Sequence, residues 1–159
     1  MRREPWLDDD QQRAWRQVVG LLMTLPAAID SDLQRNAALS LYEYLVLAAL
    51  SEAPDRMLQM SDLAYRANSS LSRLSHLISR LEKRGWVIKR PCENDRRAST
   101  VELTTAGDKK IRSAAPGHAQ LVQDLVVEPL SPAQLQRLGE AAAAIVQAID
   151  TARNRGPDG

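Results

Sequence analysis

The sequence predicts a mainly helical fold interrupted by one small β-hairpin. Three observations carry that reading. Apolar residues recur at steps of three and four along most of the chain. Two capping-box signatures, Ser40-Leu-Tyr-Glu43 and Ser131-Pro-Ala-Gln134, mark helix starts. Between them, Trp86 to Leu103 switches to a strand, a basic loop and a strand with two-residue alternation.

In chain order, residues 1–10 are polar, and the acidic triplet Asp8–Asp10 favours a helix start through the dipole. From Gln11, the apolar residues Trp15, Val18, Val19, Leu22, Leu25, Ile29 and Leu33 form one helical stripe. Pro26 falls inside it, and a kink is expected there because no turn cluster accompanies the proline. The Ser40 helix carries Leu41, Tyr44, Leu45, Ala48 and Ala49 and stops before Pro54, with Asp55 and Arg56 in the following turn. A short helix begins near Ser61, and Ala67-Asn-Ser69 breaks it, since asparagine tolerates the left-handed conformation.

A longer helix follows from about Ser70 to Arg84. Leu71, Leu74, Leu77, Ile78 and Leu81 share one side; Ser72, His76, Ser79 and Lys83 lie opposite, with Arg73 and Arg80 on the flanks. Gly85 is placed for a left-handed C-cap. The hairpin strands are Trp86–Arg90, closed by Pro91, and Val101–Leu103, with Val101 and Leu103 on one face. Thr104 is the expected N-cap of a fifth helix, broken at Pro116-Gly117 and carrying Ile111, Leu121, Val122, Leu125 and Val126. A sixth helix carries Leu135, Leu138, Ala142, Ile145, Val146 and Ile149, and the tail from Arg153 is expected to fray.

Charge is distributed unevenly. The net charge is +1, yet Arg66 to Arg97 holds nine basic and three acidic residues, leaving the remainder net acidic. A basic segment in an acidic chain is a footprint for a polyanion, or equally a solvated helix face. The face from Ser69 to Arg80 decides between them. It is rich in hydroxyls and free of acids, whereas exposed helix faces usually mix Glu with Lys.

A short helix, a turn and a longer helix with one apolar and one hydroxyl-and-arginine face have the chemistry of a helix-turn-helix, whose second helix enters the major groove. Ser70, Ser72, Arg73, Ser75, His76, Ser79, Arg80 and Lys83 are the expected DNA-contacting residues of that helix. The hairpin loop fits a wing, with Arg96 and Arg97 suited to a narrow minor groove and Asp95 to orienting a guanidinium. The expected organisation is a first helix at 11–37, a winged helix-turn-helix at 38–104 and C-terminal helices at 105–153. The apolar stripes of the first, fifth and sixth helices have few partners within one subunit, so a second copy is expected to bury them.

The run LAYRANSSLSRLSHLISRLEKRGWVIKR followed by NDRRASTVELTTAG resembles the MarR family of winged helix-turn-helix repressors. The similarity extends over roughly Gln11 to Asp150. Its most specific part is the Asp95-Arg96-Arg97 wing, matching the family's Asp-x-Arg, followed by Leu103-Thr104 and Gly107; the helix end Leu81-Glu-Lys-Arg-Gly85 is also typical. The resemblance implies an obligate homodimer with the flanking helices as the dimerisation region, and a pseudo-palindromic operator. It also implies release of DNA by a small phenolic or carboxylated effector, and it matches Arg97 to the family's minor-groove arginine. For an effector pocket between the dimerisation helices and the DNA-binding lobe, the residues named are Trp15, Val19, Tyr42 and Tyr44, with Arg13 and Arg16 as basic partners; core packing of Trp15 and Tyr44 is the competing reading.

An enzyme is not expected. His76 and His118 lie far apart, and no Gly-rich phosphate loop, nucleophile motif or metal-spaced cluster appears, so no cofactor or metal is assigned. The single cysteine, Cys92, has no internal disulfide partner. A peroxide-sensing cysteine in this family is expected near the start of the first helix, where this chain has none. Without a signal-peptide core or a membrane-length apolar run, a cytoplasmic location is expected. The alternative function is a winged-helix interaction module that turns its basic face to an acidic protein.

Overall fold

The computed structural model describes residues 6–92 and 98–154, and the chain divides into two compact units, the first through Gly117 and the second from His118. Asp95, Arg96 and Arg97 lie outside the described residues. The elements are α1 (Asp9–Ala37), α2 (Leu41–Glu52), a one-turn 3-10 helix (Pro54–Arg56), β1 (Met57–Gln59), α3 (Met60–Arg66), α4 (Leu71–Lys83), β2 (Val87–Pro91), β3 (Ser99–Leu103), α5 (Thr105–Val122), a π-turn (Gln123–Val127) and α6 (Pro132–Asn154). The fold is mainly helical with a small antiparallel sheet, as the sequence predicts.

Helices α1, α2, α4 and α5 start where a side chain satisfies a free amide, whereas α3 begins at Gln59 without a side-chain cap. Asp8 caps α1 in a reciprocal box with Gln11, a more specific device than the dipole effect expected of the acidic triplet. Ser40 and Glu43 form the box that starts α2, and the Leu41 amide donates to Asp30 Oδ1 of α1 at 2.7 Å. Helix α1 passes Pro26 as one helix and ends at Ala38, which adopts a left-handed conformation with φ 50°.

The core sits between α2, α3, α4 and the sheet. Leu47, Leu50, Leu63, Leu74, Leu77, Ile78, Leu81, Val87 and Val101 are buried, with Leu33 and Leu39 closing the side toward α1. The anchor face expected for α4 is therefore the buried one, except that Leu71, its first residue, is 55% exposed. Leu71 stands one turn before Leu74, the first α4 residue in the core, and lines a surface recess instead.

The sheet order is β1-β3-β2, with Met57 opposite Glu102 and Val87 opposite Leu103. Strand β1 goes beyond the two-stranded hairpin of the sequence reading. Its three residues bury only Leu58, too short an alternation to recognise, and β3 recruits them. Past β2, the Cys92 amide donates to the Ala98 carbonyl, so the ladder continues to the base of the wing.

Thr104 seats α5 on the turn after α4. Its hydroxyl accepts from the Gly107 amide and donates to the Gly85 carbonyl at 2.7 Å, while its amide donates to the Trp86 carbonyl. Gly85, at φ 74°, makes that turn. Gly107 packs so closely that a Cβ there would stand 2.1 Å from the Trp86 oxygen. The break expected at Pro116-Gly117 does not occur: Pro116 lies inside α5. A proline removes one amide but keeps a helical φ, and neighbouring i→i−4 bonds carry the helix on. In the second unit, Ser131 and Gln134 form the expected capping box of α6, and no residue of α6 is buried among the described residues.

Two substitutions test this local physics in opposite directions. Gly107→Ala must push the α4–β2 turn away and is expected to destabilise the fold by about 2 kcal/mol. Ala38→Gly removes a left-handed alanine and is expected to stabilise it by about 1 kcal/mol. Urea unfolding at fixed protein concentration reads both, and equal midpoints for the two variants would contradict the assignment.

Candidate nucleic-acid interface

Helices α3 and α4 meet through a turn built from backbone bonds. Asn68 takes φ 50°, as its side chain permits, and the Ser69 amide reaches back to the Ala64 carbonyl. Ser70 is the N-cap of α4, its hydroxyl accepting from the Arg73 amide at 3.2 Å. The geometry is that of a helix-turn-helix, with α4 as its second, exposed helix. The first turn of α4 contains no acidic residue, so the positive end of its dipole is not offset locally.

Ser70, Ser72, Arg73, His76, Ser79, Arg80 and Lys83 are exposed and Ser75 is half-buried. They divide into two stripes. Ser72, Ser75 and Ser79 form a hydroxyl stripe. Arg73, Arg80 and Lys83, with His76 between them at steps of three and four, form a cationic stripe along one wall of an open groove of about 960 Å³. The opposite wall is Pro26, Ala27 and Asp30 of α1 with Ser40, Leu41, Tyr42 and Leu45 at the start of α2. Asp30 is the one acid in that lining, and its oxygens already accept from the Leu41 amide and from Gln34. Among the described residues, the side chains of His76, Arg80 and Lys83 make no hydrogen bond or ion pair. Arg73 differs: its guanidinium lies over the Tyr42 ring, 4.7 Å from the centroid.

The strands below the wing are held by their own charges. The Lys89 amide donates to Glu82 Oε1 at the end of α4, and Arg90 pairs with Glu102 across the ladder at 3.2 Å. A smaller recess of about 360 Å³ is lined by Ser61, Leu71, Ser75, Lys89 and Ser99, among others. It joins the start of α3 to the wing base, and Lys89, counted in the basic segment but left out of the expected DNA-contacting set, is the basic residue there; its place on the outward side of a strand next to a wing is the available signal.

The four residues named for an effector are not gathered in one place. Tyr42 lines the groove. Tyr44 is in the core, where burial, with the charge of Glu52 adding, raises its hydroxyl above the ordinary tyrosine range. Trp15 and Val19 are exposed on α1 and do not line the groove. Arg13 pairs with Asp10 on the same helix. The groove's cations come instead from α4.

No group of three or more metal-ligating side chains exists among the described residues, and no helix among them is long and apolar enough to cross a membrane.

Comparison with known proteins agrees with this geometry. Residues 32–98 match the model of the MarR family. The crystal structure of Sco3205, a MarR family transcriptional regulator from Streptomyces coelicolor in complex with DNA, is 36% identical and superposes with a TM-score of 0.88, covering 91% of each chain. AbsC, a MarR family regulator from the same organism, is 34% identical with a TM-score of 0.86, over 93% of this chain and 99% of its own. The regulator YfiV of Bacillus subtilis is 36% identical over 97 residues, 60% of this chain, and the match spans 59% of YfiV's own length. The match to the transcriptional repressor MprA of Escherichia coli likewise spans 60% of that protein, at 26% identity over 67% of this chain. With a helix-turn-helix, a hairpin wing and two such relatives matched over nine-tenths of their length, the chain belongs to the MarR family of DNA-binding transcriptional regulators.

Proposed function

We propose that the protein is a homodimeric, sequence-specific repressor that holds a pseudo-palindromic operator and releases it when a small aromatic acid binds. The observation that carries this reading is the cationic stripe of α4, which faces a groove with apolar residues on its other wall. Such a stripe suits DNA phosphates and base edges when the groove is empty. The same groove, at the upper end of the usual small-ligand range, offers a planar acid an apolar bed and a guanidinium. An anion seated there neutralises cations that the operator needs.

Residues 11–37 and 105–153 are assigned to dimerisation and 38–104 to DNA binding. What supports the dimer is uncovered apolar surface on both flanking segments. Trp15, Leu22 and Met23 of α1 are exposed, and so are Leu138, Ile145, Val146 and Ile149 of α6. Dimeric helix-turn-helix proteins read half-sites about one helical turn apart, roughly 10 base pairs. Ser70, Ser72, Arg73, Ser75, His76, Ser79, Arg80 and Lys83 serve the major groove in this reading, Arg97 with Arg96 the minor groove, and Asp95 orients the wing. The site of action is the cytoplasm, with the DNA.

Fluorescence anisotropy on a duplex from the upstream region of the protein's own gene tests the DNA reading. Wild type is expected to lose affinity steeply with salt through counterion release. Removing one phosphate-neutralising cation from each protomer, by Arg80→Ala or Lys83→Ala, lowers the slope of log K against log salt by about two for the dimer. Arg97→Ala weakens operator binding and leaves the dimer intact in sedimentation. A flat salt response together with retention of an acidic protein partner would transfer the function to protein interaction.

The effector arm is separate. Salicylate or benzoate at millimolar concentration is expected to raise the melting temperature of the free protein and to dissociate the duplex. Arg80→Ala should blunt the thermal shift. Full thermal stabilisation with undiminished DNA binding would rule out competition in the groove.

A further inference from the structure

We infer that Tyr42 is a specificity-positioning residue, holding Arg73 and the turn before α4 in the conformation that reads DNA; the inference rests on the assignment of Arg73 to the major groove. Two contacts converge on this one side chain. The Tyr42 hydroxyl donates to Ser69 Oγ, and that hydroxyl donates to the Ser70 carbonyl. Ser70 is the N-cap of α4, so Tyr42 reaches the start of the recognition helix through a chain of two hydrogen bonds. On the other side, the Tyr42 ring carries the Arg73 guanidinium 4.7 Å from its centroid.

The contrast within the cationic stripe gives the contact its meaning. His76, Arg80 and Lys83 have no side-chain partner among the described residues, and Arg73 alone of the four rests on a protein group. An arginine side chain free in water samples many rotamers, and each must be frozen when it forks onto a guanine. A face-on aromatic ring limits those rotamers beforehand while leaving the guanidinium nitrogens free at their edges.

Tyr42 is itself well fixed. It is the second residue of α2, and the neighbouring Leu41 amide is tied to Asp30. Next to it, Glu43 closes the Ser40 capping box and pairs with Arg84 at 3.4 Å. A ring on a capped and doubly tied helix start is a rigid platform, which is what positioning a reading side chain requires. The sequence reading placed Tyr42 with the effector. The geometry points to Arg73 as the group through which it acts.

The test uses full-length protein and a randomised duplex library, from which the base preference at each position is measured for wild type and variants. Arg73→Ala is expected to flatten the preference at one or two base pairs per half-site, with about a tenfold loss on the selected duplex. Tyr42→Leu is expected to flatten the same positions and to cost about three- to fivefold in affinity. Tyr42→Phe keeps the ring under Arg73 but loses the bond to Ser69, and is expected to keep the preference profile while losing about two- to threefold in affinity as the turn before α4 loosens. The double variant Tyr42→Leu/Arg73→Ala should be no flatter than Arg73→Ala.

If Arg73→Ala leaves the profile unchanged, the assignment of Arg73 is wrong and the inference goes with it. A flattened Arg73→Ala profile beside a wild-type Tyr42→Leu profile overturns the inference alone. Nuclear magnetic resonance of the wild type provides a check that needs no folded Tyr42→Leu variant. Ring currents should move the Arg73 δ-methylene protons upfield, and unshifted protons would overturn the platform.

Discussion

The carboxylate of Glu43 is 6% exposed and bonds in two directions. One oxygen accepts from the Ser40 amide and so starts α2; the other pairs with Arg84 at the end of α4. A buried carboxylate is tolerated only when its oxygens are satisfied, and a capping box plus an arginine does so. Arg84 in turn lies over the Trp86 ring at 4.9 Å, and Lys110 of α5 approaches that ring at 5.3 Å. One acid therefore ties the start of α2, the end of the recognition helix, the root of the wing and α5 into a single frame. These directional contacts add to the apolar core in orienting α4 against β2, because a hydrogen bond or ion pair fixes direction more narrowly than a Leu, Ile or Val contact does.

The elements legible in the sequence are those whose cause is local. The Ser40–Glu43 and Ser131–Gln134 boxes, the Gly85 cap, Asn68 in the turn and Thr104 before α5 each need only three or four residues to form, and each is present. The buried side of α4 followed from its period for the same reason. What was not legible depends on distant partners. Strand β1 exists because β3 offers it an edge more than forty residues away. The Pro116-Gly117 pair reads as a stop in isolation, yet α5 continues to Val122.

The candidate site shows the same division. A helical wheel sets His76 and Lys83 with the serines opposite the apolar side of α4 and Arg73 and Arg80 on its flanks, all expected to face DNA. What lies across from the α4 residues cannot be drawn that way, because the facing wall comes from two earlier helices, α1 and α2. The effector residues were chosen by type, as aromatics on helices, and type does not distinguish Tyr42 at the groove from Tyr44 two residues on in the core. On a helix, neighbours two apart point to nearly opposite sides. The capping box at Ser40 fixes where α2 begins, but only the packing of α2 on α4 decides which of its tyrosines is buried.

In the reading proposed here, DNA binding and effector binding draw on one set of cations. Regulation of that kind needs no long relay through the protein. A ligand that prefers the free protein shifts the equilibrium by its affinity difference between the free and DNA-bound states, and full competition makes that difference as large as it can be. The groove wall opposite the stripe carries a single charged side chain, Asp30. In that reading, an acid there would pair with Arg80 or Lys83 and compete with both DNA and a bound anion. Asp30 is the exception, and its two oxygens are spent on the Leu41 amide and Gln34. It caps α2 without closing on the cations across the groove, so they are left to whichever anion arrives.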